Sequence, residues 1–256
     1  MAALLEVRDL RYAYGAYRAV DGVSFDLAGG ELVALVGRNG AGKSTLLECL
    51  AGWRRPEGGE VRLRGRRLEE DETAYRSGVL LVPDTPPFYE ELTAWEHLAF
   101  VARLRRRPEA EWQAEAERLL RGLALWEQRH GYPYAFSHGM RTKLAVAAAL
   151  VARPELLLLD EPFGPLDPIS AAELAEELAA YVAGSEAAGC PRSVLLSSHR
   201  LPEGVRPARL LVLEGGHLLA DGSPAALGRR FGLAEEEPDA DAVLRAALRA
   251  ARRERP

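Results

Sequence analysis

Apolar residues recur along this chain with two different periods, and the period switches repeatedly. Glu31–Val36, Val79–Val82, Leu156–Leu159, Ser193–Ser197 and Leu210–Leu213 are short, nearly continuous apolar runs bounded by glycine, proline or charge. Runs of this length predict strands buried on both faces. Leu156–Leu159 is all leucine, which suits a helix as well as a strand; its four-residue length between Pro154 and Pro162 decides for a strand. Leu4–Leu10 and Val23–Leu27 alternate instead, and predict half-exposed antiparallel strands on either side of an aromatic turn at Tyr12–Tyr17. Val61–Arg64, set between Gly58-Gly59 and Gly65, reads as a further strand with its arginines on the wet side. The helical period appears in Ser44–Gly52 through Leu46, Leu47 and Leu50, in Thr93–Arg105 through Trp95, Leu98, Ala99 and Ala102, and in Glu109–Leu123 through Trp112, Ala116, Leu119 and Leu120. It returns in Arg141–Val151, in Pro168–Val182 with Asp167 as N-cap, and in Ala240–Arg252.

Strands alternating with helices predict an α/β fold with a mixed, largely parallel sheet, preceded by an N-terminal antiparallel β-subdomain. From Asp84 the character changes to a proline-rich loop and then to helices, so residues 84–152 read as a helical subdomain inserted into the sheet. The expected division is one main domain over residues 1–232, followed by a polar break at Glu235–Asp239 and a short helix over 233–256. No internal repeat or low-complexity tract is evident.

Composition narrows the classes without choosing among them. The chain has 256 residues and a net charge of −5, with 48% hydrophobic residues, as in an ordinary globular protein. The longest apolar run, Leu144–Ala152, is too short to span a bilayer, and charges at Glu6, Arg8 and Asp9 interrupt any secretory leader. Two cysteines, Cys49 and Cys190, cannot form a disulfide framework, which fits a reducing compartment. The arginine clusters Arg62–Arg67 and Arg103–Arg107 read as solvated faces in an acidic chain, so no nucleic acid is expected as a partner. Among 33 basic residues only Lys43 and Lys143 are lysine.

Lys43 stands inside a motif. Gly37, Arg38, Asn39, Gly40, Ala41, Gly42, Lys43, Ser44 and Thr45 satisfy G-x-x-x-x-G-K-[ST], after a buried strand and before a helix. Such a loop turns backbone N–H groups toward phosphate, and the helix adds the positive end of its dipole. Lys43 reaches the β- and γ-phosphates as a compact point charge, a geometry that explains why an arginine-biased chain keeps lysine here. Ser44 offers a hydroxyl to Mg2+. Leu156–Glu161 ends a strand in two adjacent carboxylates, with Asp160 suited to the metal's water shell and Glu161 to polarising an attacking water.

With these pieces in place the sequence resembles the ATP-binding cassette family through most of its length. The resemblance implies a P-loop NTPase core that binds ATP and Mg2+ and hydrolyses ATP. Tyr14 resembles the aromatic that stacks on adenine, with Tyr12 and Tyr17 as rivals. Phe136-Ser137-His138-Gly139-Met140 stands where the family has its L-S-G-G-Q signature. Ser137 and Gly139 would then contact a nucleotide held by an opposite subunit, although Ser137 is equally fit to cap a helix. Gly164-Pro-Leu-Asp167 resembles the loop that crosses the dimer interface, which would hold Ser137, His138, Gly139 and Asp167. His199 resembles the switch histidine and joins Lys43 and Glu161 as a catalytic candidate. The family's metal-contacting glutamine is replaced by Asp84, one methylene shorter and charged. This departure and those at Phe136, His138 and Met140 resemble cassettes that serve exporters.

The resemblance implies a homodimer or heterodimer of ATP-binding subunits. It would drive a transmembrane permease on another chain from the cytoplasmic, inner face of the cell membrane, docking around Pro86–Trp95. The alternatives are an ATPase in cofactor assembly and an ATP-binding regulatory subunit with weak hydrolysis. A repair role would need a long coiled coil between Lys43 and Ser137, and that stretch carries no heptads.

Overall fold

A computed structural model describes residues 3–187, 190–202, 204–234 and 238–253. It contains two sheets. The first has the order β2-β1-β4-β5, all antiparallel, from β1 (Leu5–Tyr14), β2 (Tyr17–Leu27), β4 (Gly58–Leu63) and β5 (Arg66–Arg67). The second has the order β10-β9-β3-β8-β7-β6, from β3 (Leu32–Val36), β6 (Val79–Val82), β7 (Leu156–Leu159), β8 (Ser193–Ser198), β9 (Arg209–Glu214) and β10 (His217–Gly222). Its neighbouring strands are parallel except at the edge, where β10 runs antiparallel to β9. The helices are α1 (Lys43–Leu50), α2 (Glu72–Gly78), α3 (Ala94–Leu104), α4 (Glu109–Gly122), α5 (His138–Ala152), α6 (Pro168–Ala187), α7 (Pro224–Phe231) and α8 (Ala240–Arg253). This is the expected α/β fold with a mixed, largely parallel sheet, an N-terminal antiparallel sheet and an inserted group of helices.

The apolar runs are continuous because each central strand feeds two cores. Side chains alternate across a pleat. Val33, Leu35, Leu156, Leu158, Leu195, Leu211 and Leu213 therefore pack toward α1 and the antiparallel sheet, while Ala34, Val36, Leu157, Leu159, Val194, Leu196, Leu210 and Val212 pack toward the helices. The second core includes Leu98 and Ala102 of α3, Leu119 and Leu120 of α4, and Leu144, Ala147 and Val151 of α5. Thr93 and Glu96 close a capping box at the start of α3, which fixes its entry from the proline-rich loop. Trp95 lies 5.4 Å from Trp112 and 6.1 Å from Trp126, ring centre to ring centre, so three of the four tryptophans gather in the inserted helices. Trp53, just beyond α1, is exposed.

Several elements differ from the sequence reading. The turn expected within Tyr12–Tyr17 is there but tighter: β1 continues to Tyr14 and β2 starts at Tyr17, leaving only Gly15 and Ala16 between them, with Gly15 at φ +59°. The pairing of Tyr14 with Tyr17 closes a hairpin whose aromatic side chains had hidden its period. The helix expected from Arg141 starts at His138, because the Ser137 hydroxyl accepts the Met140 N–H and caps it there. Helix α6 extends to Ala187 rather than ending near Val182. The short elements α2, β10 and α7 were not foreseen. Part of the expected polar break, residues 235–237, lies outside the described residues. Beyond it, α8 seats Ala240, Val243, Leu244 and Ala247 in the second core, against α7, β9 and β10. Among the described residues no helix is long and apolar enough to cross a membrane.

Candidate nucleotide site

The C-terminal ends of β3, β7 and β8, side by side in the parallel sheet, bring the candidate residues together. β3 leads into the loop Gly37–Gly42, and α1 carries Lys43, Ser44 and Thr45 in its first turn. That turn has no side-chain cap and no acidic residue, which leaves its N–H groups open to an anion. Arg38, Asn39, Gly40 and Ser44 are exposed, while Gly37, Ala41, Lys43 and Thr45 are buried. The glycines answer to space as much as to phosphate. A Cβ on Gly37 would lie 2.3 Å from the Leu213 carbonyl oxygen, and one on Gly42, at φ +103°, would lie 2.1 Å from that of Ala19. The loop is thus wedged between β9 and β2.

Lys43 is only 6% exposed. Its ammonium donates to the carbonyls of Gly37 at 2.9 Å and Arg38 at 3.2 Å and pairs with Glu161 Oε1 at 3.1 Å. Glu161 Oε2 accepts from the His199 backbone N–H at 3.2 Å and lies 2.9 Å from His199 Nδ1. One carboxylate therefore joins the phosphate-loop lysine to the histidine after β8. Burial alone would raise the Glu161 carboxyl, but the hydrogen bonds from His199 and the charge of Lys43 outweigh it and hold the group below the usual carboxylate range. Glu161 also has φ +48°, an uncommon conformation for a glutamate, and its N–H is held by Ser197 Oγ at 2.9 Å. Sequence reading had no signal for this strain.

Asp160 accepts from the Ser197 hydroxyl at 2.6 Å and is also hydrogen-bonded by Ser44. Burial raises its carboxyl above the usual range, and the neighbouring charges of Glu161 and Asp84 add to this against the hydroxyl contacts. Ser44 and Asp160 form a set of hard oxygen donors next to the phosphate loop. Among the described residues no cluster of three or more histidine, cysteine or acidic groups is poised to hold a metal. Magnesium in phosphoryl-transfer sites takes one or two carboxylates and completes its shell with substrate phosphates and water, so the donors present fit it. Asp84 is exposed in the loop after β6.

The remaining candidates fall into two groups. Tyr14 is half-exposed beside the loop, with its hydroxyl 3.3 Å from Thr45 Oγ1, the guanidinium of Arg54 4.9 Å from its ring centre, and Tyr12 edge-on at 5.1 Å. Tyr12 is tied to Arg54, and Tyr17 donates to the Gly40 carbonyl at 3.0 Å, so of the three aromatics only Tyr14 is braced against Thr45. Ser137, His138 and Gly139 occupy the N-terminal end of α5, the first two exposed and Gly139 half-buried. None of the described hydrogen bonds joins them to Gly37–Thr45. His138 Nε2 instead lies 3.3 Å from the Asp84 carbonyl oxygen, and Gly139 packs on Pro165 and Leu166. Asp167 caps α6 by accepting from the N–H groups of Ile169 and Ser170, at 3.0 and 3.1 Å.

A parallel sheet whose central strand opens into this loop, with an acidic pair ending a strand two places away, defines a P-loop nucleoside triphosphatase. The sequence profile of the family described as ABC transporter matches residues 20–164, and the chain belongs to that family. It is 34% identical over 238 residues to the ABC-type transporter ATP-binding protein EcsA of Bacillus subtilis, covering 93% of this chain and 94% of that protein. It is 36% identical over 225 residues to the sulfate/thiosulfate import ATP-binding protein CysA of Mycobacterium tuberculosis, covering 88% of this chain and 62% of that one. A solved structure of an ATP-binding subunit of an ABC transporter superposes with a TM-score of 0.83 at 33% identity, covering 96% of this chain and 99% of the other. The protein is an ATP-binding subunit of the ABC transporter family and an ATPase.

Proposed function

We propose that the chain powers an exporter as one half of a cassette dimer, with Lys43, Glu161 and His199 as its catalytic group. The observation that carries the reading is the single carboxylate of Glu161 held between Lys43 and His199. ATP entering the loop brings phosphate to Lys43 and displaces that carboxylate, which is already ionised and so free to accept a hydrogen bond from the attacking water. Gly37–Thr45 hold the phosphates through backbone N–H groups, and Tyr14 stacks on the base. Ser44 and Asp160, with Asp84 nearby, would hold Mg2+. When bound, the ion neutralises charge on the phosphate oxygens. His199 steadies Glu161 and responds to the arriving phosphate.

The dimer reading is supported by the start of α5, where Ser137 and His138 are exposed, Gly139 is half-buried and none of the described hydrogen bonds reaches their own phosphate loop, and by Ile169, 74% exposed beside Asp167. Two copies, or one copy and a related subunit, would place these groups over each other's ATP. The permease, on another chain at the inner face of the membrane, would dock near Pro86–Trp95, where Phe88, Tyr89, His97 and Phe100 form an aromatic cluster with Tyr89 largely exposed. The export direction rests on the departures at Asp84, Phe136, His138 and Met140.

Glu161→Gln keeps the shape and removes the charge. It should preserve ATP binding, lower phosphate release by about a hundredfold or more, and accumulate an ATP-bound dimer, read by a phosphate-release assay and by sedimentation. Unchanged phosphate release removes Glu161 from the catalytic group.

A further inference from the structure

Both lysines of this arginine-rich chain are buried, and only one belongs to the phosphate loop. Lys143, 7% exposed, lies in the second turn of α5. Its ammonium reaches across to the first turns of α6, donating to Ser170 Oγ at 3.4 Å and lying 3.5 Å from Glu173 Oε2. Ser170 passes the connection on: its hydroxyl donates to Asp167 Oδ2 at 2.8 Å, while the other oxygen of that carboxylate caps the helix. A second contact ties the same two segments. A Cβ on Gly139 would lie 3.0 Å from the Pro165 carbonyl oxygen and 3.2 Å from Leu166 Cδ2. The first turn of α5 therefore rests on the backbone of the Gly164–Asp167 loop, and Lys143, one turn further along, holds the end of that loop through Ser170.

Stability alone is a poor reason for this arrangement. A buried ion pair rarely adds stability over an apolar filling of the same volume, and fixing the register between elements is its better-attested use. The pair here is not optimised for strength, since Glu173 Oε2 has no hydrogen-bond partner and shares the ammonium with Ser170. Met or Leu would fill the space without desolvating a charge.

We propose that Lys143 is a positioning residue that, through Ser170, holds Asp167 in register with the Ser137–Gly139 turn, so that both parts of the dimer face are presented together. This rests on the dimer reading above. The relay makes the two segments one piece: a subunit offers its turn to the opposite ATP only with its interface loop already set.

The test uses the Glu161→Gln protein as parent and measures three quantities: the ATP concentration that half-dimerises it in sedimentation, the affinity of the dilute monomer for a fluorescent ATP analogue, and the thermal midpoint. Ser170→Ala leaves the Lys143–Glu173 pair intact and cuts the relay. It should raise the ATP needed for dimerisation about tenfold, with monomer affinity unchanged and the midpoint within a few degrees of the parent. Lys143→Met should weaken dimerisation by the same factor, the double variant should be no worse than either single one, and Lys143→Arg should restore the parent value. Dimerisation of Ser170→Ala at the parent's ATP concentration, or failure of Lys143→Arg to rescue, overturns the proposal while leaving the dimer reading standing. A parent that binds ATP yet stays monomeric overturns both.

Discussion

Replacing Gly42 by alanine separates two reasons for a glycine in a phosphate loop. Gly42 sits at φ +103°, ψ +6° as N-cap of α1, and the added methyl would lie 2.1 Å from the Ala19 carbonyl oxygen and 3.2 Å from its carbon. A comfortable carbon–oxygen contact is about 3.3 Å or more, so the loop and β2 must part by roughly 1 Å. The obstacle is strand backbone, paired to β1 at Val20 and Tyr12, and not the end of a flexible side chain. Backbone strain of about 1–3 kcal/mol adds to overpacking of about 1–3 kcal/mol, giving roughly 2–6 kcal/mol. At about 2–4 °C per kcal/mol for a domain of this size, Gly42→Ala should unfold on the order of 10 °C below the parent. Gly40 is the matched control, since it has φ +80° but no heavy atom within 4 Å of an added Cβ. Gly40→Ala should show the strain alone, a loss of a few degrees. Gly37 supplies the converse, with an ordinary φ and a Cβ 2.3 Å from the Leu213 oxygen. Thermal unfolding followed by circular dichroism ranks the three variants. A Gly42→Ala protein melting within 2 °C of the parent, or a Gly40→Ala protein falling as far as Gly42→Ala, refutes the reasoning.

Tyr14→Ala should weaken ATP and ADP binding equally, by about 1–3 kcal/mol for a lost base stack, in a titration with fluorescent nucleotide; unchanged affinity would move the stack to Tyr17. The two cysteines should differ in reactivity, because burial, with the nearby Glu48 charge, pushes the Cys49 thiol up to about 12, whereas Cys190 is exposed. Iodoacetamide at pH 8 should modify one thiol in the folded protein and two after unfolding, counted by mass spectrometry. Because the folded Cys49 holds its proton more tightly than the unfolded chain does, its contribution to stability is complete below about pH 9 and is lost as pH rises toward 12, which denaturant titrations at pH 8 and pH 10 will detect as a lower midpoint at the higher pH.

Long-range order and local strain divide what the sequence revealed from what it hid. The strands at Leu32–Val36 and Leu156–Leu159 were legible because a strand buried on both faces must be apolar throughout, and the phosphate loop because its chemistry fixes residue types at fixed spacing. Lys43 was singled out by that loop, Asp160 and Glu161 as an acidic pair ending a strand, and His199 by its order along the chain; the sheet sets β3, β7 and β8, the strands that lead to them, side by side. The eight-residue α7 and the edge strand β10 stayed hidden because each buries so little, only Leu227 and Gly228 in α7 and Ala220 in β10, that no apolar face stands out. The reach of Lys143 to Ser170 joins residues 27 positions apart on different helices, and no pattern along either helix announces it. The positive φ of Glu161 was equally silent, since glutamate has no preference for it and the Ser197 hydroxyl that holds its N–H lies 36 positions away.

The distribution of tryptophan gives the protein a built-in optical reporter. Trp95, Trp112 and Trp126 lie close enough to exchange excitation, and Trp112 is buried with the other two half-buried, so their emission is more sheltered than that of Trp53 and follows the packing of the inserted helices. Trp53 stands apart at the end of α1, open to solvent, next in the chain to the arginine that covers Tyr14. Iodide will quench Trp53 first. The quenchable and protected fractions of the intrinsic fluorescence then report separately on the surroundings of the base and on the helical insert, without any label attached.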